Sequence, residues 1–166
     1  MYLKKFFNKY IKNTQEKAMV PDGKILLCYL PNAVMKGIET DFSIKSVYMT
    51  SRCVKHLYDK KPAEEFDFII NNLHDIVKYP DEIYKNLSGK RGDFCFVKRI
   101  EDARYLCTIG IAMDECGNCK EIQVATAFRL RDENYIKKYT LLWDWGNDKP
   151  HRNALDAPKE STNAPQ

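Results

Sequence analysis

The sequence lacks any apolar run that approaches the roughly 20 residues needed to cross a membrane. Its first residues, MYLKKFFNKYIKNTQEKAMV, also lack the uninterrupted apolar segment of a secretory signal peptide. We therefore expect a soluble, cytoplasmic protein. Its six cysteines are then expected to be reduced thiols, because disulfides persist mainly in oxidising compartments.

Motifs of several enzyme classes are missing as well. There is no Walker-type phosphate loop, no nucleophile elbow and no dinucleotide fingerprint, which argues against nucleotide-dependent enzymes and the common hydrolase classes. A strong excess of basic charge is also absent, since the formal net charge is +4 and the pI is about 8.6. Such a balance permits a nucleic-acid partner without requiring one.

A complete set of zinc ligands is not apparent either. Cys116 and Cys119 form a single CxxC, whereas structural zinc takes four ligands and no second pair has matching spacing. Cys95 and Cys107 could complete a site only if the fold brought them to the same end of a sheet. The intervening Gly-Asn is typical of a turn, so we predict a hairpin tip here, without a metal or other cofactor.

The length and composition fit one domain with additional segments at its ends. The chain has 166 residues, 44% of them hydrophobic, which suffices for a single core. We predict an α+β domain over residues 43–146, with residues 1–42 packed on it. Residues 147–166 form a polar segment interrupted by proline, which is typical of disorder.

The first segment is predicted to begin with a basic amphipathic helix. Its apolar residues recur at helical spacing, and they are Leu3, Phe6, Phe7, Tyr10, Ile11, Thr14 and Ala18. Lysines 4, 5, 9 and 12 lie on its other side, so the helix could bind RNA or an anionic membrane surface. Packing on the domain or on a second subunit is the preferred interpretation. A short strand is predicted at residues 25–30.

Two further helices are predicted before the main sheet. An extended run ends near Met49, and Thr50 or Ser51 can then cap a helix that continues to about Lys60. Its apolar side comprises Cys53, Val54 and Leu57, while His56 lies on a flank. A second helix follows Pro62 and should end near residue 79, and a turn or short helical start is predicted at residues 80–83.

We predict that the sheet is a small antiparallel meander with strands at residues 93–100, 104–113 and 121–128. Regular alternation puts Phe96 and Lys98 on the same side of the first strand. It likewise puts Thr126 on the apolar side of the last strand. A short helix to about residue 138 and an apolar anchor at residues 140–145 should follow.

Three segments resemble the phage and mobile-element branch of the barnase/EndoU/colicin/RelE-like nucleases. They are SRCVKHLYDKKPAEEFDFIINNLHDIVKYPDEIY, KRGDFCFVKR and ATAFRLRDENYIKKYTLLW, within about residues 43–145. The resemblance implies helices packed on an antiparallel sheet and ribonuclease activity. It places the helical histidine at His56 after Lys55, the Pro-Asp turn at Pro80-Asp81, the basic strand residue at Lys98 and the hydroxyl-bearing tripeptide at Thr126-Ala127-Phe128.

Metal-free RNA cleavage needs a base for the 2′-hydroxyl, an acid for the leaving 5′-oxygen, and cations or hydrogen-bond donors around the phosphorane. Histidine suits the proton roles because it titrates near neutral pH. We predict catalytic roles for His56, Lys98 and Thr126. Substrate-binding roles are predicted for the three basic residues Lys55, Arg91 and Arg129, with single-stranded RNA as the partner.

Each of these residues also has an ordinary structural interpretation. His56 could be a surface histidine, Lys98 and Arg91 solvated charges, and Thr126 a common strand residue. The other two histidines are weaker candidates, since His74 borders the apolar stripe of the second helix and His151 lies in the polar tail. The predicted function is a toxin-like, metal-independent endoribonuclease. The alternative is a non-catalytic module that retains the fold and binds RNA or protein, and an inhibitor or a second subunit could bind either.

Overall fold

The computed structural model describes residues 2–38 and 43–145. The helices in this part are α1 (Tyr2–Tyr10), α2 (Asn32–Gly37), α3 (Ser51–Lys60), α4 (Ala63–Lys78) and a 3-10 helix (Glu133–Lys138). The strands are β1 (Lys24–Tyr29), β2 (Ser46–Thr50), β3 (Glu82–Lys85), β4 (Phe94–Ile100), β5 (Ala103–Met113), β6 (Cys119–Leu130) and β7 (Thr140–Asp144). The segment predicted to be disordered, residues 147–166, lies outside the described residues.

All seven strands belong to one mixed sheet with the order β1-β2-β6-β5-β4-β3-β7. The antiparallel meander of β4, β5 and β6 is confirmed. The prediction of a small, purely antiparallel sheet was wrong, because β2 runs parallel to β6 and pairs Val47 with Ile122. This pairing joins segments about 75 residues apart in the chain, so neither segment's local pattern could reveal it.

The segment predicted as a turn or helical start at residues 80–83 leads instead into strand β3. This strand has only four residues, and it is held between β4 and β7. Hydrogen bonds to both neighbouring strands stabilise the extended conformation of β3. Four residues are too few to show the alternation of apolar and polar residues by which a strand is predicted. The apolar anchor predicted after residue 139 is β7, which forms one edge of the sheet.

The predicted starts and ends of α3 and α4 agree well with the structure. The Thr50 side chain caps α3 by accepting a hydrogen bond from the Cys53 N–H at 3.2 Å. Helix α1 is shorter than its apolar pattern suggested, since Asn13 and Lys17 have φ values of 64° and 61°. A right-handed helix cannot continue through such residues. Helix α2 was not predicted, because six residues are too few for a helical period.

The main core lies between the helices and one face of the sheet, which we call the helix-covered face. Buried residues of α3 and α4 meet strand residues such as Phe96 and Ile122 there, and Leu3 and Phe6 of α1 join the same cluster. The second face carries a smaller cluster next to the 3-10 helix, comprising Cys95, Val97, Leu106, Leu130 and Ile136. The predicted alternation along β4 is therefore confirmed.

A β-bulge in β6 reverses the alternation before Thr126. Opposite β5, Thr126 pairs with Thr108 while Val124 pairs with Ile109, so Ala125 is an extra residue. Val124 belongs to the helix-covered face, whereas Phe128 packs on the second face. The prediction that Thr126 shares the face of Val124 was wrong, because regular alternation does not hold across a bulge.

The CxxC segment forms a hairpin tip between β5 and β6, as predicted. The Asp114 carboxylate accepts hydrogen bonds from the N–H groups of Cys116 at 2.9 Å and Asn118 at 2.8 Å. Gly117 has a φ of 81°, which suits glycine at this turn. Across the described residues, no three histidine, cysteine or acidic side chains are grouped to hold a metal ion. Within residues 2–38 and 43–145, no helix is both long and apolar enough to cross a bilayer.

Candidate functional site

A cavity of about 390 Å³ opens on the second face of the sheet. The β3–β4 loop, β5, β6 and the segment around the 3-10 helix contribute its lining, which comprises Asn86, Leu87, Ser88, Lys90, Arg91, Thr108, Thr126, Tyr135, Lys138 and Tyr139. Three of these residues are cationic, five carry hydroxyls and none is acidic. The cavity therefore favours an anionic ligand.

Two threonines from adjacent strands lie at this cavity. Thr108 and Thr126 are directly paired across β5 and β6, and the bulge in β6 brings Thr126 to the second face, which Thr108 shares by the regular alternation of β5. Thr108 is only 2% exposed, and its hydroxyl has no hydrogen-bond partner in the described part of the chain. A buried hydroxyl without a partner costs about 1–3 kcal/mol. Thr126 is half-buried, so its side chain is the one of the pair that a bound ligand can reach.

The basic residues of the cavity come from two separate segments of the chain. Lys90 and Arg91 come from the β3–β4 loop, are exposed, and pair with no carboxylate among the described residues. Lys138 comes from the 3-10 helix, and its ammonium lies 3.7 Å from the centroid of the Tyr135 ring. The positive charge of all three is therefore available to a bound anion.

Two tyrosines complete the wall next to Lys138. The Tyr139 hydroxyl donates a hydrogen bond to the Tyr135 hydroxyl at 3.3 Å. Burial, followed by this hydrogen bond, raises the pKa of Tyr139 above the usual tyrosine range. Tyr139 therefore remains protonated near neutral pH and acts as a hydrogen-bond donor.

The structure brings together two of the predicted site residues, Arg91 and Thr126, at this cavity. Sequence reasoning missed the partner threonine, Thr108, because a buried strand threonine resembles any core residue in sequence. It also missed Tyr135 and Lys138, although the aromatic and basic residues interleaved in ENYIKKY are a usable signal for this wall.

Lys98 is not brought together with Thr126. Its ammonium donates a hydrogen bond to the Tyr79 carbonyl at 2.7 Å and lies 3.6 Å from the Asp81 carboxylate. Its partner across β5 is Tyr105, which belongs to the helix-covered core. Lys98 is thus on the helix-covered face, as alternation predicted, while the bulge places Thr126 on the other. Its catalytic role stays a prediction.

His56 is exposed on α3, in a stripe with Arg52 and Lys60. Helix α3 packs on the helix-covered face, where the Cys53 thiol contacts the Ala125 carbonyl at 3.5 Å. His56 is not among the residues that line the cavity. His56 therefore does not contribute to the cavity in this structure. Its catalytic role also stays a prediction.

The other two predicted substrate-binding residues lie elsewhere. Lys55 is only 5% exposed, and its ammonium donates to the Gln15 carbonyl at 2.8 Å and to the Asp59 carboxylate. Lys55 lies on the buried side of α3, and its hydrogen bonds connect α3 to the segment that follows α1. Arg129 is exposed and lines a separate cavity, together with Arg99 and Arg131.

The Lys55–Asp59 pair should make stability depend on pH. Burial alone would raise the pKa of Asp59, but hydrogen bonds from Lys55 and from the Lys17 N–H, with the Lys55 charge, lower it overall. A lowered pKa means that the carboxylate stabilises the fold above the unfolded pKa near 4, and that this contribution is lost as the pH falls through the folded pKa. We expect Asp59→Asn to reduce the unfolding free energy by about 1 kcal/mol at pH 7, after allowing for solvent screening.

Urea titrations from pH 7 down to pH 2 would measure this effect. The gap between wild type and Asp59→Asn should close below the ordinary aspartate pKa of about 4. Asp67→Asn serves as the control, because Asp67 is exposed on α4 and has no ion pair within the described residues. A gap of constant size at every pH would contradict the expectation.

Comparison with known proteins identifies one family. A family model described as phage-Barnase-EndoU-ColicinE5/D-RelE like nuclease3 matches residues 29–138, which is more than half of the chain. The match begins at the last residue of β1 and includes every residue of the cavity lining except Tyr139. No curated protein and no solved structure matches the chain significantly.

Proposed function

The chain belongs to this phage-Barnase-EndoU-ColicinE5/D-RelE like nuclease family, and on that premise we propose that it is an endoribonuclease of phage or mobile-element origin. The cavity on the second face is its proposed site for the scissile phosphodiester. One observation carries the proposal: Lys90, Arg91 and Lys138 line one cavity, and none of its lining residues among those described is acidic.

The proposed reaction is attack of the 2′-oxygen on the adjacent phosphorus. A bond forms between the 2′-oxygen and phosphorus as a base removes the hydroxyl proton, the bond to the 5′-oxygen breaks, and the leaving oxygen gains a proton. The products carry a 2′,3′-cyclic phosphate and a 5′-hydroxyl. Negative charge builds up on the phosphorane, where the three cations and the hydroxyl of Thr126 would stabilise it.

Metal independence is part of the proposal because of the side chains that face the phosphate position. Within the described residues, the cavity lining presents ammonium and guanidinium groups but no carboxylate, which is the oxygen ligand that Mg²⁺ prefers. Side-chain cations can provide the charge stabilisation that a metal ion provides in other nucleases.

Single-stranded RNA is the proposed substrate. The cavity, at about 390 Å³, has the volume of a small-molecule site and suits one nucleotide rather than a duplex. A flexible strand can place one phosphodiester against Arg91 while a neighbouring base meets the aromatic wall of Tyr135 and Tyr139.

A second candidate function is a module that binds RNA without cleaving it. One observation favours this alternative: the described residues that line the cavity include no histidine and no carboxylate, the commonest groups for proton transfer. His56 remains the predicted proton-transfer residue, although α3 packs on the opposite face of the sheet. Its contribution has to be measured separately from that of the cavity.

Incubation of the purified protein with a mixed-sequence RNA in EDTA tests the proposal. We expect fragments ending in 2′,3′-cyclic phosphate from the RNA and none from a 2′-O-methyl RNA of the same sequence. Binding without cleavage would support the second candidate, and loss of both would overturn both candidates. Cleavage by His56→Ala or Lys98→Ala at the wild-type rate would remove the corresponding residue from the mechanism.

A further inference from the structure

The loop that carries Lys90 and Arg91 has an unusual backbone. Gly89, Arg91 and Gly92 all have positive φ values, of 63°, 62° and 114°. Glycine adopts such values readily, but a residue with a Cβ atom does so at a cost. Arg91 therefore keeps its conformation only because neighbouring groups hold the loop in place.

The side chain of Asn86 supplies these holding contacts. It is only 5% exposed, and its amide nitrogen donates to the carbonyls of Lys90 and Gly92, both at 2.8 Å. These two carbonyls flank Arg91. The side-chain oxygen of Asn86 accepts from the Ser88 N–H at 3.2 Å and from the Ser88 hydroxyl at 2.7 Å. One buried amide thus uses both its donors and its acceptor on a single loop.

The same residue connects the loop to the sheet. The Asn86 N–H donates to the Asp93 carbonyl at 2.8 Å, and the Asp93 N–H donates to the Ile109 carbonyl at 2.7 Å. The Asp93 carboxylate accepts from the Ile111 N–H at 2.7 Å. Ile109 directly follows Thr108 on β5, so these hydrogen bonds set the position of the loop relative to the floor of the cavity.

We infer that Asn86 is a positioning residue that holds Lys90 and Arg91 toward a phosphodiester of single-stranded RNA in the cavity. The identity of the ligand, RNA, rests on the proposed function. The geometry of the loop rests on the hydrogen bonds of Asn86. Without the Asn86 amide, nothing in the described residues bonds to the two carbonyls that flank Arg91. Arg91 would then return to the favoured negative φ, and its side chain would turn away from Thr108.

Limited trypsin digestion tests the geometric part without any RNA, because trypsin cleaves after Lys90 and Arg91 only when the loop opens. We expect Asn86→Ala to increase the rate of cleavage at these two positions by about 10-fold at equal global stability, with the fragments identified by mass spectrometry. Asn72→Ala is the matched control, since Asn72 also donates its amide to a backbone carbonyl, that of Phe68 at 2.8 Å, but within α4. It should leave cleavage at this loop unchanged.

Ser88→Ala provides a milder variant in case Asn86→Ala does not fold. It removes only the hydroxyl hydrogen bond to the Asn86 oxygen, so we expect an intermediate increase in cleavage at the loop. The inference would be overturned if trypsin cleaved Ser88→Ala after Lys90 and Arg91 no faster than it cleaves wild type. The same result for Asn86→Ala, if this variant folds, would be required as well.

Binding of a fluorescent 2′-O-methyl RNA, which the protein cannot cleave, tests the functional part. Plots of log affinity against log salt should become shallower in Asn86→Ala by about 0.7 for each phosphate that the protein no longer neutralises. A loss of stability alone would not change this slope. An unchanged slope with an opened loop would overturn the positioning role. Failure of the proposed function would instead appear as a lack of RNA cleavage by wild type. In that case the digestion and binding experiments would still decide whether Asn86 positions the loop.

Discussion

Arg91→Ala is expected to lower kcat/KM for RNA cleavage by about 10²- to 10³-fold, the effect typical of removing one group that stabilises transition-state charge. Arg91 lines the cavity together with the threonine pair, and its guanidinium has no carboxylate partner within the described residues. Its two-pronged donor geometry suits the non-bridging oxygens of a phosphorane. Initial rates on a short fluorescent RNA would measure the loss.

Two variants control this experiment. Arg131→Ala removes an exposed arginine that is ion-paired with Glu65 away from the cavity, and we expect it to change kcat/KM by less than about twofold. Arg91→Gly should also lose activity, yet gain about 0.5–1 kcal/mol of stability, because glycine tolerates the positive φ of 62°. An Arg91→Ala enzyme that cleaves within twofold of wild type would contradict the assignment of this cavity.

Gly92→Ala is expected to reduce the unfolding free energy by about 3 kcal/mol, at the upper end for a side chain forced into a disfavoured backbone conformation. A Cβ atom on Gly92 would lie 2.9 Å from the Ile109 carbonyl oxygen and 3.1 Å from its carbonyl carbon. These atoms belong to β5 and cannot rotate away as a flexible side chain would. Gly92 also has a φ of 114°, which residues with a Cβ rarely adopt.

Gly89→Ala separates the two causes of this effect. Gly89 has a φ of 63°, but a Cβ atom there would have no neighbour within 4 Å. It should therefore lose only about 1 kcal/mol, the cost of the left-handed conformation. Chemical denaturation of both variants would show the difference. Equal losses for the two glycines would mean that contact with β5 does not constrain the loop.

The parts of the fold that could be predicted are those with a repeating local pattern. The apolar positions of α3 and α4 follow the helical period, and β4 and β5 alternate regularly. The parallel pairing of β2 with β6 could not be predicted, because it depends on which distant segments meet after folding. Strand β3 could not be predicted either, since four residues give too short a pattern to be recognised as a strand.

Only some residues of the proposed cavity were among those selected from the sequence, and the physical reasons differ between residues. Arg91 was selected as a basic residue that could hold the phosphate, and it does line the cavity. Lys55 and Lys98 were selected from the family resemblance, as the residue before the helical histidine and as the basic strand residue. Such a match does not tell which face a side chain occupies. Burial on α3 determines the position of Lys55, and the bulge in β6 moves Thr126 to the face opposite Lys98.

The hairpin tip offers a practical consequence for solution experiments. Burial raises the pKa of Cys28, Cys53 and Cys95 to about 12 each, and it raises that of Cys107 as well. These thiols therefore react slowly, because the thiolate is the nucleophile. Cys116 is exposed, and it does not line the cavity. A maleimide dye should therefore attach there first, which gives a fluorescent reporter or an immobilisation point that leaves the cavity uncovered.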